Sequence, residues 1–214
     1  MESEKFIAMR YAALAPALVK NLQNRGFEAY FCATVADARA KVLSLIPDGA
    51  SVAWGGSLSL EESGVISALK NGNYRLIDRD SAKDPAERAA LMRQAFFSDT
   101  YLSSVNAISE NGVMVNIDGN CNRIAAIAYG PGSVILLVGL NKLCRDAAAA
   151  RERAQSFVAP ANGFRLNAQL PCVKTGFCHD CLSPQCMCAQ VVEMRCNRIA
   201  GRIKVVLCGE SLGI

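Results

Sequence analysis

Six of the chain's ten cysteines lie between Pro171 and Cys196, in the stretch PCVKTGFCHDCLSPQCMCAQVVEMRC. Cys172, Cys178, Cys181 and Cys188 are spaced C-x5-C-x2-C-x6-C, with Cys186 and Cys196 as extras. Thiols this close together serve as a metal site, a disulfide staple or a redox pair. Four thiolates in a tetrahedron suit Zn²⁺, and thiolates around iron suit a [4Fe–4S] cluster. The intervals match neither paired C-x2-C zinc-ribbon units nor the bacterial ferredoxin run, so the metal's identity stays open. The single C-x2-C at Cys178 and Cys181 also fits a redox dithiol. His179, inside it, is the chain's sole histidine; it reads most simply as an exposed residue, with a thiol-activating or ligand role as the alternative. Without a second histidine, acid–base chemistry near neutral pH falls to carboxylates, cysteine or lysine.

A second set of residues could bind an anion. Ser51-Val52-Ala53-Trp54 reads as a short strand running into Gly55-Gly56-Ser57, followed by a helix in which Ser59 and Glu62 have capping-box spacing. Free amides at such a turn form an anion cradle, and a tight turn with a serine cap is the simpler alternative. Asn116, Asp118, Asn120 and Arg123 form a polar group between an apolar strand and an apolar helix. Together with the glycine turn, Arg123 could read a small carboxylate or phosphate, or the group could be turn chemistry around Gly119. Lys142 follows another strand end and faces either the same crevice or water.

The elements that must carry these residues alternate. Glu4 to Arg25 has apolar residues Ile7, Tyr11, Leu14, Leu18 and Leu22 at helical spacing and stops at Gly26. Phe27 to Cys32 is strand-like, and Thr34 starts a helix to about Ile46. Tyr74 to Ile77 is the next strand, and Asp84-Pro85 opens a helix through Phe97. Thr100 to Ser104 is strand-like, and Ala107 to Ile117 is a hairpin on an Asn-Gly turn. Asn122 to Tyr129 reads as a helix, Val134 to Val138 as a strand buried on both faces, and Asp146 caps an alanine-rich helix to about Val158. A short further helix lies within Pro160 to Gln169, and Val191 to Met194 and Ile203 to Leu207 are strand-like. Parallel strands need helical crossovers, so the pattern predicts an α/β fold with a mostly parallel sheet flanked by helices. Ligands in such sheets bind at the strands' carboxyl ends, where Gly55, Gly56, Ser57, Asn116, Asp118, Asn120 and Lys142 cluster. Residues 1–214 read as one domain, with residues 171–196 a cysteine-rich excursion inserted before the last strand.

The totals narrow the function classes. A net charge of +4 over 214 residues, without a basic block, gives no support for nucleic-acid binding. The apolar runs are far shorter than the roughly 20 residues of a membrane span, and MESEKF lacks a signal peptide's basic start, which predicts a cytoplasmic protein. Reduced thiols and metal then explain the cysteines better than disulfides. Cys32, Cys144 and Cys208 end apolar segments and read as packing residues, whereas Cys121 opens a helix.

Several stretches resemble the LUD-domain proteins, named for lactate utilisation: WGGSLSLEESG, NAISENGVMVNIDGNCNRIAAIAYGP, VILLVGLNKL, APANGFRLNAQLPCVKTGFCHDCLSPQCMC and GRIKVVLCGESLGI. They cover most of the chain in order. Two departures are Cys121, where the family tends to have glycine, and Cys186, where charged residues are common. The resemblance implies the fold of ribose-5-phosphate isomerase, glucosamine-6-phosphate deaminase and the CoA transferases. It also implies a part in oxidising lactate or a related organic acid beside iron–sulfur partner proteins. Ser109-Glu110-Asn111-Gly112 resembles the signature around the nucleophilic glutamate of family I CoA transferases, which marks Glu110 as a catalytic candidate on an alternative, transferase- or isomerase-like reading. A further alternative is a non-catalytic subunit that docks iron–sulfur partners. Oligomeric state is open.

Overall fold

A computed structural model describes residues 2–214. Helix α1 (Glu2–Asn24) buries Ala15, Leu18 and Leu22, while Ile7, read from its spacing as part of the inner face, is 49% exposed because the helix runs past the body of the fold at its start. Strand β1 (Glu28–Cys32) leads to α2 (Val35–Ser44), whose first turn is closed by the Thr34 hydroxyl accepting the Asp37 N–H. Strand β2 (Ser51–Trp54) is followed by two short helices, α3 (Leu58–Glu62) and α4 (Val65–Lys70). The capping box expected of Ser59 and Glu62 does not form. The helix starts two residues earlier, with Ser57 at its cap, and Ser59 is buried inside it.

Strand β3 (Arg75–Ile77) precedes α5 (Pro85–Gln94), which Asp84 caps as expected. Strands β4 (Thr100–Ser103), β5 (Ala107–Ser109) and β6 (Met114–Asp118) come next, then α6 (Asn122–Tyr129). Strands β7 (Ser133–Gly139) and β8 (Leu143–Cys144) lead into α7 (Ala147–Glu152), a π-helical turn (Arg153–Val158) and α8 (Ala159–Arg165). Helix α9 (Pro171–Thr175), strand β9 (Gln190–Met194) and strand β10 (Ile203–Cys208) complete the chain.

The main sheet has six strands, all parallel, in the order β1-β10-β7-β4-β2-β3. Side chains alternate across it. Val134, Leu136 and Val138 pack with α1 and α6, whereas Ile135 and Leu137 pack with α2, α3 and α4. All five are fully buried, which explains why this run shows no polar alternation. Each such side chain contributes about 1.5–3 kcal/mol of burial.

The prediction of a mostly parallel sheet between helices holds, but there is a second sheet of four strands, β8-β5-β6-β9. Its β5–β6 hairpin is antiparallel, as the Asn-Gly turn implies, and β9 pairs antiparallel with β6. The cysteine-rich stretch therefore leaves from α9 and returns through β9 in the small sheet before β10 enters the large one.

Candidate functional site

Between the two sheets lies a cleft of about 330 Å³. Its floor is made by the carboxyl ends of four parallel strands: Gly56 and Ser57 after β2, Arg79 after β3, Ser103 and Ser104 at β4, and Lys142 after β7. The opposite wall is Ile117 to Asn120 at the end of β6, the start of α6, and Ala159, Asn162 and Arg165 of α8. Four arginines, Arg79, Arg88, Arg123 and Arg165, and the amine of Lys142 line it, against one carboxylate side chain, Asp118. Partly enclosed walls strengthen the field of such a lining.

Of the residues singled out in the sequence, Gly56, Ser57, Asp118, Asn120, Arg123 and Lys142 line this cleft. Gly55 lies just behind it, its N–H donated to the Leu102 carbonyl, and a Cβ there would press on Tyr101 Oη and the Arg123 stem. Gly56 lacks a side chain where the Arg79 guanidinium passes over the backbone. The Ser57 hydroxyl and Arg79 Nε are buried without a hydrogen-bond partner. Buried polar atoms are rarely left so; Arg79 Nε lies 3.8 Å from Asp80 Oδ1, and the same carboxylate pairs with Arg88 Nη1 at 2.8 Å.

Arg123 is largely committed to the protein. Its Nη1 donates to Asn116 Oδ1 at 2.8 Å and the Ser104 carbonyl at 3.2 Å, and its Nη2 donates to Asn106 Oδ1 at 3.0 Å. It ties β6 to the loop after β4, with Asn116 fully buried beneath. Asp118 accepts the Ile124 N–H at 3.0 Å, giving α6 the cap that Cys121 cannot supply.

Lys142 is only 4% exposed. Its Nζ contacts Ser59 Oγ at 2.8 Å, Ser104 Oγ at 3.0 Å and the Val105 carbonyl at 3.3 Å. Burial, reinforced by Arg153 and Arg123, lowers its pKa to about 7, with Glu62 opposing weakly. Tyr101, also deeply buried, is pushed up to about 12 by the same desolvation.

The cysteines stand beside the cleft. Gly119 in the cleft wall faces the Cys186 carbonyl and Met187, and Met187 itself lines the cavity. Cys186 Sγ and Cys188 Sγ are 3.4 Å apart, and all ten cysteines are free thiols. Burial raises the Cys172 pKa, with Cys181 and Cys178 adding to it, and burial with the neighbouring Cys186 pushes Cys188 up to about 12. The donor set suits a soft metal. Among the described residues, however, no three His, Cys, Asp or Glu side chains are gathered at metal-ligand geometry. His179 Nε2 lies 2.7 Å from Thr175 Oγ1.

A family model for the LUD domain matches residues 15–208. The chain belongs to the LUD domain family. The solved structure of a DUF162 family protein from Deinococcus radiodurans superposes with a TM-score of 0.55, covering 92% of this chain and 97% of that one at 9% identity. That likeness shows a shared fold. The δ subunit of eIF2B from Chaetomium thermophilum overlaps 55% of this chain and 52% of its own at 19% identity, with a TM-score of 0.33. No curated protein matches the sequence.

In this LUD domain Glu110 lies outside the cleft. It sits on the β5–β6 turn with its side chain 51% exposed, 3.7 Å from Arg10 of α1. Arg79, Arg88, Arg165 and Ser104, which do line the cleft, carried no motif in the sequence, and Ser59 was read only as a helix cap. The position of Arg79 just past the end of β3 was a usable signal, since strand ends supply the site; the two helical arginines had no local signal.

Proposed function

We propose that this LUD domain binds a small organic acid or phosphate-bearing molecule in the cleft and takes part in organic-acid oxidation of the lactate-utilisation type. The supporting observation is the lining of the cleft, which gathers Arg79, Arg88, Arg123 and Arg165 with the Lys142 amine around a single side-chain carboxylate, Asp118, while Asp80 pairs with Arg79 and Arg88 behind it. Cys172, Cys178, Cys181 and Cys188 are the proposed metal ligands, with Cys186 as a substitute, for zinc or a [4Fe–4S] cluster. Donor chemistry supports this, and metal loading would have to draw the sulfurs together. A metal there would supply either electron transfer beside the substrate or rigidity to the cleft wall that Met187 helps form. An iron–sulfur protein is the proposed partner.

Titration calorimetry with L-lactate, a second hydroxy acid, inorganic phosphate and a sugar phosphate tests the cleft. Binding of at least one anion is expected, weakened about tenfold by Arg79→Met, the loss of one charge-assisted contact. Binding that Arg79→Met leaves unchanged would place the anion elsewhere. Metal analysis of anaerobically purified protein tests the thiols: a full complement of free thiols with neither iron nor zinc removes the metal.

A further inference from the structure

The lysine in the cleft is set up differently from its neighbouring arginines. Lys142 Nζ is enclosed by two serine hydroxyls and one carbonyl, and no carboxylate pairs with it among the described residues. The charged groups facing it are Arg123 from α6 and Arg153 from the π-helical turn, with Glu62 of α3 the one acidic influence. An ammonium buried beside two guanidiniums without a counter-ion is costly, whereas a neutral amine is not.

The hydrogen bonds also close for the neutral form. The Ser59 hydroxyl can donate to the Leu212 carbonyl at 3.2 Å, leaving its oxygen to accept one Nζ proton. The second Nζ proton goes to the Val105 carbonyl, and the Ser104 hydroxyl donates to the nitrogen lone pair. A desolvated lysine next to other cations is a competent amine nucleophile. Here its nitrogen stands in an anion-favouring cleft.

We propose that Lys142 forms an imine with a carbonyl compound that carries a carboxylate or phosphate, the anionic group being held by the Arg79 side of the cleft. The proposal rests on the anion-binding reading of that cleft. The Nζ lone pair adds to the carbonyl carbon, and one amine proton passes to the former carbonyl oxygen to give a carbinolamine. That carbon then loses its hydroxyl, which leaves as water with the remaining amine proton, the nitrogen supplying the electrons of the C=N bond. The sum is amine plus carbonyl giving imine plus water, with no oxidant or reductant. Ser59 and Ser104, in contact with Nζ, are placed to relay the protons. On taking up one proton from solvent the imine withdraws electrons from the adjacent carbon, which activates it for proton removal or carbon–carbon cleavage.

Borohydride trapping tests this on the full-length protein. Incubation with glyoxylate, pyruvate or glyceraldehyde 3-phosphate followed by reduction should give one adduct per chain, mapped by peptide mass spectrometry to Lys142. The three compounds separate the carboxylate source from the phosphate source. Trapping at Lys142 should exceed that at any other lysine by about tenfold, because exposed lysines remain protonated near neutral pH. It should be lost in Lys142→Arg and survive, more slowly, in Ser104→Ala. Its rate should fall as pH drops below about 7, where the amine gains a proton, and level off above. Calorimetry with the non-carbonyl anions runs alongside. Anion binding without a Lys142 adduct overturns the imine and leaves the cleft reading standing. Neither binding nor adduct overturns both, and adducts spread evenly over surface lysines overturn the imine as well.

Discussion

Single residues in this chain do work that their types alone do not reveal. Arg123 reads from sequence as an anion reader, and the structure engages its guanidinium with Asn106, Asn116 and the Ser104 carbonyl while it lines the cleft beside Arg79. Cys121 is the clearer case. It holds a left-handed φ of 61° at the cap of α6, a conformation that costs an L-residue about 1–2 kcal/mol and a glycine almost nothing. Cys121→Gly should therefore stabilise the protein by about 0.5–1 kcal/mol in urea unfolding, after the glycine's larger unfolded-state entropy is set against the relieved strain. A loss of stability would show that the thiol makes a compensating contact. Lys142 was legible as a residue after a strand end that faces either the crevice or water. What sequence could not show was its enclosure by Ser59 and Ser104, which are 83 and 38 residues away along the chain.

Elements were read well where local chemistry decides them. Thr34, Asp84 and Asp146 cap α2, α5 and α7 through side-chain bonds to Asp37, Glu87 and Ala149 amides, as their positions imply. The second sheet was missed because its strands are short: β8 has two residues and β5 three, too few to display alternation. The cysteine-bearing stretch likewise depends on a contact that pattern cannot disclose. Gly163 of α8 is helical, and a Cβ there would sit 2.6 Å from Val173 Cγ2 and 3.2 Å from the Met187 terminal methyl. Replacing a helical glycine with alanine ordinarily stabilises by about 1 kcal/mol. At this position Gly163→Ala should instead destabilise by about 1–2 kcal/mol and weaken anion binding, since Val173 and Met187 must shift and Met187 lines the cleft. In a Val173→Ala background the same change should become neutral or favourable. Additive effects in that double-mutant cycle would place the clash elsewhere.

At the scale of the whole molecule the parallel α/β class was predictable from alternation, but the strand order was not, because nothing local states which strands are neighbours. Strand β1 has a single sheet neighbour, β10, with Glu28 paired to Lys204 and Cys32 to Cys208. Strand β10 in turn separates β1 from the rest of the sheet. During synthesis, α1 and β1 must then wait, without a sheet partner, while nearly the whole remaining chain is made. Their apolar residues, Leu18, Leu22 and Phe27 among them, stay uncovered for that interval and are natural clients for chaperones. Ribosome-bound chains arrested before Ile203 should be cut by protease within α1 and β1, whereas released chains should resist. Refolding of the full chain should be slow, on the order of seconds, as closure of so distant a pair demands.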